Sequence, residues 1–351
     1  FANLDLVVVN NAPLAFDPNG RIHVTATDDL SGEKIPVRIQ VIPKVPQPAA
    51  PDAFGVLDEA DGRLYQEFAV TGETTLAVPP GEHRVIVTRG YEWELFDTNI
   101  NVAAGQTVDL AAPLVHSVDT TGWMCADFHI HSYFSADSND PADHKVKGAI
   151  ADGLDIPVSS EHEWVIDFQP IIESLGLQKW AFGVPSEELT TFTWGHFGVI
   201  PLLPKPDKLN GGAIDWIGKA PKDVFGLVDE QPEKPVLIVN HPSNGSFSAY
   251  FSASMYDRDK GEGDPALWST NFDAIEVFND SDFEANRNDS VSDWFSLLNR
   301  GQTFWAVGSS DSHHLRTSPV GYPRTCLFFD HDDPQKLSPE LVRNALSTGA
   351  A

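Results

Sequence analysis

The chain has 351 residues, of which 41% are hydrophobic and 21% are charged, a composition typical of a folded protein with sequence enough for two domains. Its 51 acidic and 23 basic side chains give a formal net charge of −28, which repels nucleic-acid backbones and anionic membranes, so we expect no nucleic-acid partner. The sequence has no apolar run near the roughly 18 residues of a membrane-spanning helix, so we expect no membrane insertion.

Residues 1–117 have the pattern of an all-β domain. Short runs rich in β-branched residues are separated by Gly, Pro and Asp at the spacing found in β-sandwiches: "RIHVTAT", "PVRIQVIP", "LYQEFAV", "TTLAVP", "HRVIVTRG" and "QTVDLAAPL". The segment "PKVPQPAAPDAFG" at residues 43–55 interrupts them and is typical of a surface loop. We therefore predict an N-terminal β-sandwich.

Residues 118–351 alternate between strand and helix patterns. Three helical segments end in a glycine that is typical of a helix stop: "DPADHKVKGAIADG", "SVSDWFSLLNRG" and "SPELVRNALSTG". Apolar runs typical of buried strands lie between the helices, among them "GLDIPVSS", "PVLIVN", "FDAIEVF" and "TFWAVGSS". This alternation indicates a parallel sheet, and the number of strands favours a closed barrel over an open sheet. We therefore predict an α/β domain with a TIM-like barrel.

Side chains that bind metals follow most predicted strands of this second domain. They are His129, His131, His162, Glu187, Glu188, His196, His241, Asp311 and His313. Nine of the 12 histidines follow Trp123, a distribution that independent accidents explain poorly. Parallel barrel strands bring their carboxyl ends to one rim, so these residues are expected to meet. Imidazoles and carboxylates together suit Zn, Mn or Fe, and we expect two or three such divalent ions.

These segments also resemble a known family. "DFHIHS…SAD", "SSEH", "EE…GH", "NHP" and "GSSDSHH" are similar, in this order, to the metal-binding motifs of the PHP (polymerase and histidinol phosphatase) superfamily. "SEELTTFTWGHFGVIPL", after a β-domain ending in "HRVIVTRGYEWEL", resembles its carbaryl hydrolase-type (CehA/McbA-like) branch. The resemblance implies a distorted (β/α)7 barrel. It also implies a further strand beyond Ala351, so we expect the native chain to continue.

The resemblance implies three metals. The first would be bound by His129, His131, Glu188 and Asp311, and the second by Glu188, His196 and His241. The third would be bound by Asp137, His162 and His313. Many members of the superfamily have histidine at the position of Asp137, which leaves the identity and occupancy of the third metal open. Glu188 is preferred to Glu187 on the motif match alone.

The predicted chemistry is hydrolysis of a small-molecule ester. Two metals about 3.5–4 Å apart lower the pKa of a shared water and stabilise charge on a carbonyl or phosphoryl oxygen. The predicted catalytic residues are His241, Asp311 and Arg324. The candidates to bind a substrate oxygen anion are Arg324, Arg316, Arg287 and Lys145.

Two features bear on the substrate. The superfamily indicates phosphoesters, and the branch indicates carbamates or carboxylic aryl esters. Aromatic residues near the motifs favour the second class: Trp164, Phe168, Trp194, Phe247 and Tyr250. The alternative function is a surface or carbohydrate-binding module whose metals are structural.

Cys125 and Cys326 both lie in apolar runs, so two buried thiols are the default interpretation. A disulfide between neighbouring strands is the alternative. The acidic composition and the β-sandwich favour a periplasmic or secreted protein over a cytoplasmic one. The sequence does not indicate an oligomeric state.

Overall fold

The computed structural model describes residues 8–9, 12–13, 19–44, 65–243, 248–280 and 282–350. The predicted surface loop beyond Lys44 and the aromatic residue Phe247 lie outside the described residues. Two compact units divide the chain, Phe1–Val118 and Asp119–Ala351.

The first unit is built of β-strands. They are β1 (Val8–Val9), β2 (Ala12–Pro13), β3 (Gly20–Asp28), β4 (Val37–Pro43), β5 (Tyr65–Ala69), β6 (Glu73–Val78), β7 (Gly81–Thr88), β8 (Phe96–Val102) and β9 (Thr107–Leu114). Strands β6-β3-β9 form one sheet and β5-β4-β7-β8 another, while β1 pairs with β2. Strand β3 shows why these runs are strands, because the fully buried Ile22, Val24 and Ala26 alternate with more exposed residues.

The second unit contains nine strands and seven α-helices in the part that the structure describes. The strands are β10 (Trp123–Asp127), β11 (Ile156–Ser159), β12 (Val184–Pro185), β13 (Glu187–Thr190), β14 (His196–Ile200), β15 (Val236–Val239), β16 (Ala274–Asn279), β17 (Trp305–Ser309) and β18 (Thr325–Phe328). The helices are α1 (Ala142–Ala151), α2 (Gln169–Ser174), α3 (Pro221–Asp229), α4 (Tyr250–Ala253), α5 (Phe283–Asn288), α6 (Ser290–Leu298) and α7 (Pro339–Thr348). Leu209–Gly212 and Pro334–Lys336 form 3₁₀ turns.

The predicted closed (β/α)7 TIM-like barrel is wrong. The strands form two separate sheets, ordered β12-β11-β10-β18 and β13-β14-β15-β16-β17, and no ladder among the described residues closes them into a barrel. Strand β18 runs antiparallel to β10, and β14 runs antiparallel to both β13 and β15.

Short connections and short helices explain this departure from the barrel. Strands β13 and β14 are joined by residues 191–195 alone, which is too short for the helix that a parallel crossover needs. Helix α4 has only four residues, and α2 and α5 have six each. The apolar runs were predicted correctly as strands, but their uniform parallel direction was not.

The two sheets share a core that positions the site. One buried cluster contains Met124 and Val158 from the first sheet together with Ile238 and Val307 from the second. Strands β10, β11 and β12 are parallel within their sheet, as are β15, β16 and β17 within theirs. Isolated parallel bridges, Ile130 with Ser312 and His162 with Glu188, connect the segments beyond these strands. The carboxyl ends of several strands therefore meet in one region.

A disulfide joins Cys125 of β10 to Cys326 of β18, residues that lie opposite each other in the ladder. The default interpretation of two buried thiols is wrong, and the alternative of a bridge between neighbouring strands is confirmed. Disulfides persist in oxidising compartments and are rare in the cytoplasm, so the chain belongs to an extracytoplasmic environment. Within the described residues, helices of the length and apolar character needed to cross a bilayer are absent.

Candidate metal centre

Although Glu188 lies within β13 and His196 begins β14, the structure brings together all nine residues predicted as metal ligands. They are His129, His131, Asp137, His162, Glu188, His196, His241, Asp311 and His313. They come from segments that are far apart in the chain: most follow a strand of one of the two parallel sets, and the antiparallel pair β13 and β14 carries Glu188 and His196. We call these nine residues the His/acid cluster.

Glu188 lies at the centre of the His/acid cluster and is fully buried. Its Oε1 lies 3.0 Å from His129 Nε2, 3.2 Å from His241 Nε2 and 3.4 Å from His196 Nδ1. Its Oε2 lies 2.7 Å from His162 Nδ1. Glu188 therefore belongs to two ligand groups at once, one with His129 and His241 and the other with His162 and His196.

Asp311 and Asp137 serve two further groups. Asp311 Oδ1 lies 3.2 Å from the Nε2 atoms of both His129 and His131. Asp137 Oδ2 lies 3.1 Å from His162 Nε2 and 3.3 Å from His313 Nε2. Asp137 is also the most exposed of these acids, with 55% of its side chain accessible, so this group is the one open to solvent.

The separations and the unsatisfied atoms fit a divalent cation. Nitrogen and oxygen ligands about 2.0–2.1 Å from a tetrahedral zinc lie about 3.3 Å from one another. Most of the measured separations match this spacing. Despite these short approaches, the buried Nε2 atoms of His129 and His131 and Oε2 of Glu188 form no hydrogen bond of acceptable geometry with the described residues. Buried polar atoms are rarely left unpaired, so a cation between them accounts for their positions.

Charge within the cluster shifts the pKa values of its members. Burial lowers the pKa of His129, but the carboxylates of Asp311, Glu188 and Glu276 outweigh it and raise that pKa well above the ordinary value. Burial raises the pKa values of Glu188 and Asp311, but neighbouring histidines hold both well below the usual range. The carboxylates are therefore charged at neutral pH, as metal ligands must be.

Residues outside the predicted set orient the ligands. Glu276 Oε1 lies 2.9 Å from His129 Nδ1, and Asn240 Nδ2 donates to Glu188 Oε1 at 2.9 Å. Ser135 Oγ lies 2.9 Å from His131 Nδ1 and donates to Glu161 at 2.7 Å. One signal was present in the sequence, because Glu276 is a single acid inside the apolar run "AIEVF". Acids are almost never fully buried unless they are paired.

Two of the candidate ligands have a positive backbone φ angle. His241 has φ of 25° and Asp311 has φ of 50°, a left-handed region that residues other than glycine rarely adopt. Such conformations cluster at functional sites because the surrounding structure must enforce them.

Glu187 and Glu188 have separate environments. Glu188 faces the His/acid cluster, whereas Glu187 accepts a hydrogen bond from the backbone N–H of Ile214 at 3.0 Å. Burial raises the pKa of Glu187 to about 8. The sequence alone did not separate these neighbours, because Pro185 disturbs the simple alternation of the strand.

The raised pKa of Glu187 predicts a pH dependence of stability. The folded protein holds this proton more tightly than the unfolded chain, whose glutamate titrates near 4.5. The stability contributed by Glu187 is therefore fully present below pH 4.5 and lost as the pH rises through about 8. We expect Glu187→Gln to gain thermal stability relative to the native chain across this window, measured on chelator-treated protein. Parallel pH profiles for the two proteins would contradict this prediction.

Arg324, predicted to be catalytic, is bonded to the backbone of neighbouring turns, and its catalytic role stays a prediction. Its guanidinium donates to the backbone carbonyls of Gly321, Gly153 and Asp152, beside the turn that follows α1. The Nζ of Lys145 likewise has structural partners: it donates to the backbone carbonyl of Ser312 and forms an ion pair with Asp140 at 3.2 Å. These cations therefore support the structure around the site.

The aromatic residues predicted near the site divide into two sets. Phe168, Trp194 and Tyr250 are buried in the core. Trp164 is 39% exposed, and its ring centroid lies 5.7 Å from that of Phe134, close in sequence to His162 and His131 respectively. Of the predicted aromatic residues whose side chains the structure describes, Trp164 is the exposed one, and it lies two residues after His162 in the sequence.

The chain matches no protein-family model and no curated protein. Solved structures that show partial likeness include the Bacillus anthracis TIE protein (13% identity, 31% of this chain, 18% of that chain, TM-score 0.21). A second is BcpA, the major pilin subunit of Bacillus cereus (16% identity, 28% of this chain, 30% of that chain, TM-score 0.21). A third is GBS52, the minor pilin of Streptococcus agalactiae (9% identity, 30% of this chain, 47% of that chain, TM-score 0.23). The chain thus spans less than half the length of each. TM-scores this low support no inference about fold or function.

Proposed function

We propose that this protein is a metal-dependent hydrolase that cleaves an ester-type bond in a small molecule. The observation that carries the proposal is the position of Glu188, a buried carboxylate shared by two groups of histidines. A carboxylate in that position is suited to bridge two divalent cations, for which Zn, Mn and Fe are the candidates.

The residues of the chain would divide the chemistry as follows. Two divalent cations supply Lewis acidity and bring the pKa of water towards about 7. His129, His131, Glu188, His196 and Asp311 would hold them, with His241 completing the second group. Asp311, which is 20% exposed, is placed to accept a proton from the attacking water. Asp311 would then pass that proton to the leaving group, while His241, whose Nε2 lies 3.2 Å from Glu188, would serve as a ligand.

A third group would bind on the solvent side of these residues. Asp137, His162 and His313 offer three converging ligand atoms there. The partial exposure of Asp137 and His313 makes this the side from which substrate approaches.

The substrate class has two candidates, phosphoesters and carbamate or carboxylic aryl esters. Arg324 and Lys145, two of the cations considered for binding a phosphate group, are bonded elsewhere. The exposed ring of Trp164 beside the cluster offers a surface for an aryl group instead. These contacts favour the uncharged aryl ester. We propose that the protein acts in the periplasm or as a secreted protein, and the disulfide between Cys125 and Cys326 supports this proposal.

Hydrolysis of 4-nitrophenyl acetate and 4-nitrophenyl phosphate tests the proposal. We expect turnover of at least one ester, lost on chelation and restored by Zn²⁺ or Mn²⁺. His131→Ala should abolish it while the protein stays folded, and His23→Ala, in the first unit, is the matched control. Bound metal without chelator-sensitive turnover of either ester would instead favour a binding module with structural metals.

A further inference from the structure

We propose that Glu276 is a positioning residue that fixes two ligands of the His/acid cluster at once. This inference rests on the proposed metal centre. It assigns a role to β16, a strand that contributes none of the nine predicted ligands but lies between two strands whose ends do.

Glu276 uses both of its carboxylate oxygens. Oε1 lies 2.9 Å from His129 Nδ1, and Oε2 accepts from the backbone N–H of His241 at 2.7 Å. Oε2 also accepts from Asn279 Nδ2 at 3.0 Å. With 1% of its surface exposed, Glu276 is shielded from water that would otherwise compete for these bonds. All three donors are therefore held by one buried anion.

The contact with His129 sets the chemistry of that imidazole. When Nδ1 carries the proton and donates it to Glu276, Nε2 is left with a free lone pair. Nε2 is the atom that lies 3.0 Å from Glu188 and 3.2 Å from Asp311. A carboxylate behind the ring also raises the basicity of the imidazole as a ligand, which neutral acceptors do less well.

The contact with His241 holds a backbone that is otherwise unfavourable. His241 has φ of 25°, and its N–H points to Glu276. Because the carboxylate satisfies this buried donor, it stabilises the turn that aims the His241 imidazole at Glu188. Glu276 thus connects a ligand after β10 to a ligand after β15.

Asn279 extends the same network to a third ligand. Its Nδ2 donates to Glu276 and also to Asp311 Oδ2 at 3.1 Å. Two residues of β16, three positions apart, therefore support ligands that belong to three different strand ends.

Zn²⁺ affinity, measured by competition with a chromophoric chelator, tests the inference. Loss of a partner that orients a metal ligand weakens binding by about 10–100-fold, and we expect a loss of this size for Glu276→Gln. The amide keeps the shape but turns an N–H₂ group towards one of the three donors. Asp273→Asn is the matched control, because Asp273 accepts from Leu237 N at 2.8 Å at the opposite end of β16. Its Zn²⁺ affinity should equal that of the native chain.

Co²⁺ substitution separates positioning from a merely structural role. We expect the visible spectrum of Co²⁺ bound to Glu276→Gln to differ from that of the native chain, a change in coordination that a loss of stability alone would not produce. If the glutamine variant does not fold, Glu276→Asp, which keeps the charge but shortens the reach, should show the weaker Zn²⁺ binding. A folded Glu276→Gln variant with native Zn²⁺ affinity and an unchanged Co²⁺ spectrum would overturn this inference but leave the proposed function intact. A native chain that binds no Zn²⁺ would overturn both it and the proposed function.

Discussion

Glu188→Gln is expected to remove bound metal and ester hydrolysis together while leaving the protein folded. Glutamine has nearly the same shape, but it removes the one charge that His129, His162, His196 and His241 surround. Zn²⁺ affinity should fall by more than about 100-fold, because the loss of a residue that only supports a ligand already costs about 10–100-fold. Metal content after dialysis and turnover of the 4-nitrophenyl esters measure the two effects.

The adjacent residue provides the control. Glu187→Gln makes the same chemical change one position away, at a carboxylate that faces Ile214 and not the cluster. It should retain metal and turnover. If both variants kept their metal, Glu188 would not be a ligand. If both variants lost their metal, the loss would come from a disturbance of strand β13 and not from removal of the Glu188 carboxylate.

Removal of the disulfide is expected to produce the largest loss of stability. The bridge closes a loop of 201 residues, and the chain-entropy model gives about 5 kcal/mol of stabilisation for a loop of this size. The melting temperature of the double variant Cys125→Ala/Cys326→Ala should fall by roughly 10 °C or more. Calorimetry on chelator-treated protein isolates this effect from any contribution of bound metal.

Reduction of the native chain is the companion measurement. A reducing agent should lower the melting temperature of the native chain by a similar amount and leave the double variant unchanged. A double variant as stable as the oxidised native chain would show that the β10–β18 ladder needs no covalent link.

The sequence predicted local features of the second unit well, because a buried strand and the polar residues after it can both be recognised within a few residues of sequence. Runs such as "PVLIVN" are strands since they are uniformly apolar, and several candidate ligands are the polar residues that directly follow such runs. His129 and His131 share a side of the chain because they are two residues apart.

The remaining features depend on long-range contacts. The direction of β18 against β10 is decided by pairing between segments about 200 residues apart, which leaves no local mark on either run. Arg324 was predicted to bind the substrate, and the sequence around it gives no sign that its guanidinium donates to the carbonyls of Asp152 and Gly153. Glu276 was visible as a lone acid in an apolar strand, but its partners were not. The sequence therefore indicated the candidate ligands more readily than the residues that hydrogen-bond to them.

The wide spacing of the ligands has a consequence for when metal can be acquired. His129 and His313 are separated by most of the second unit, so the binding groups exist only after nearly all of that unit has been synthesised and folded. The disulfide between β10 and β18 likewise waits for its second cysteine, Cys326, which lies beyond the last ligand. An extracytoplasmic chain that crosses its membrane unfolded would therefore take its metals from the compartment in which it folds, and that compartment's metal supply would decide which ions it carries.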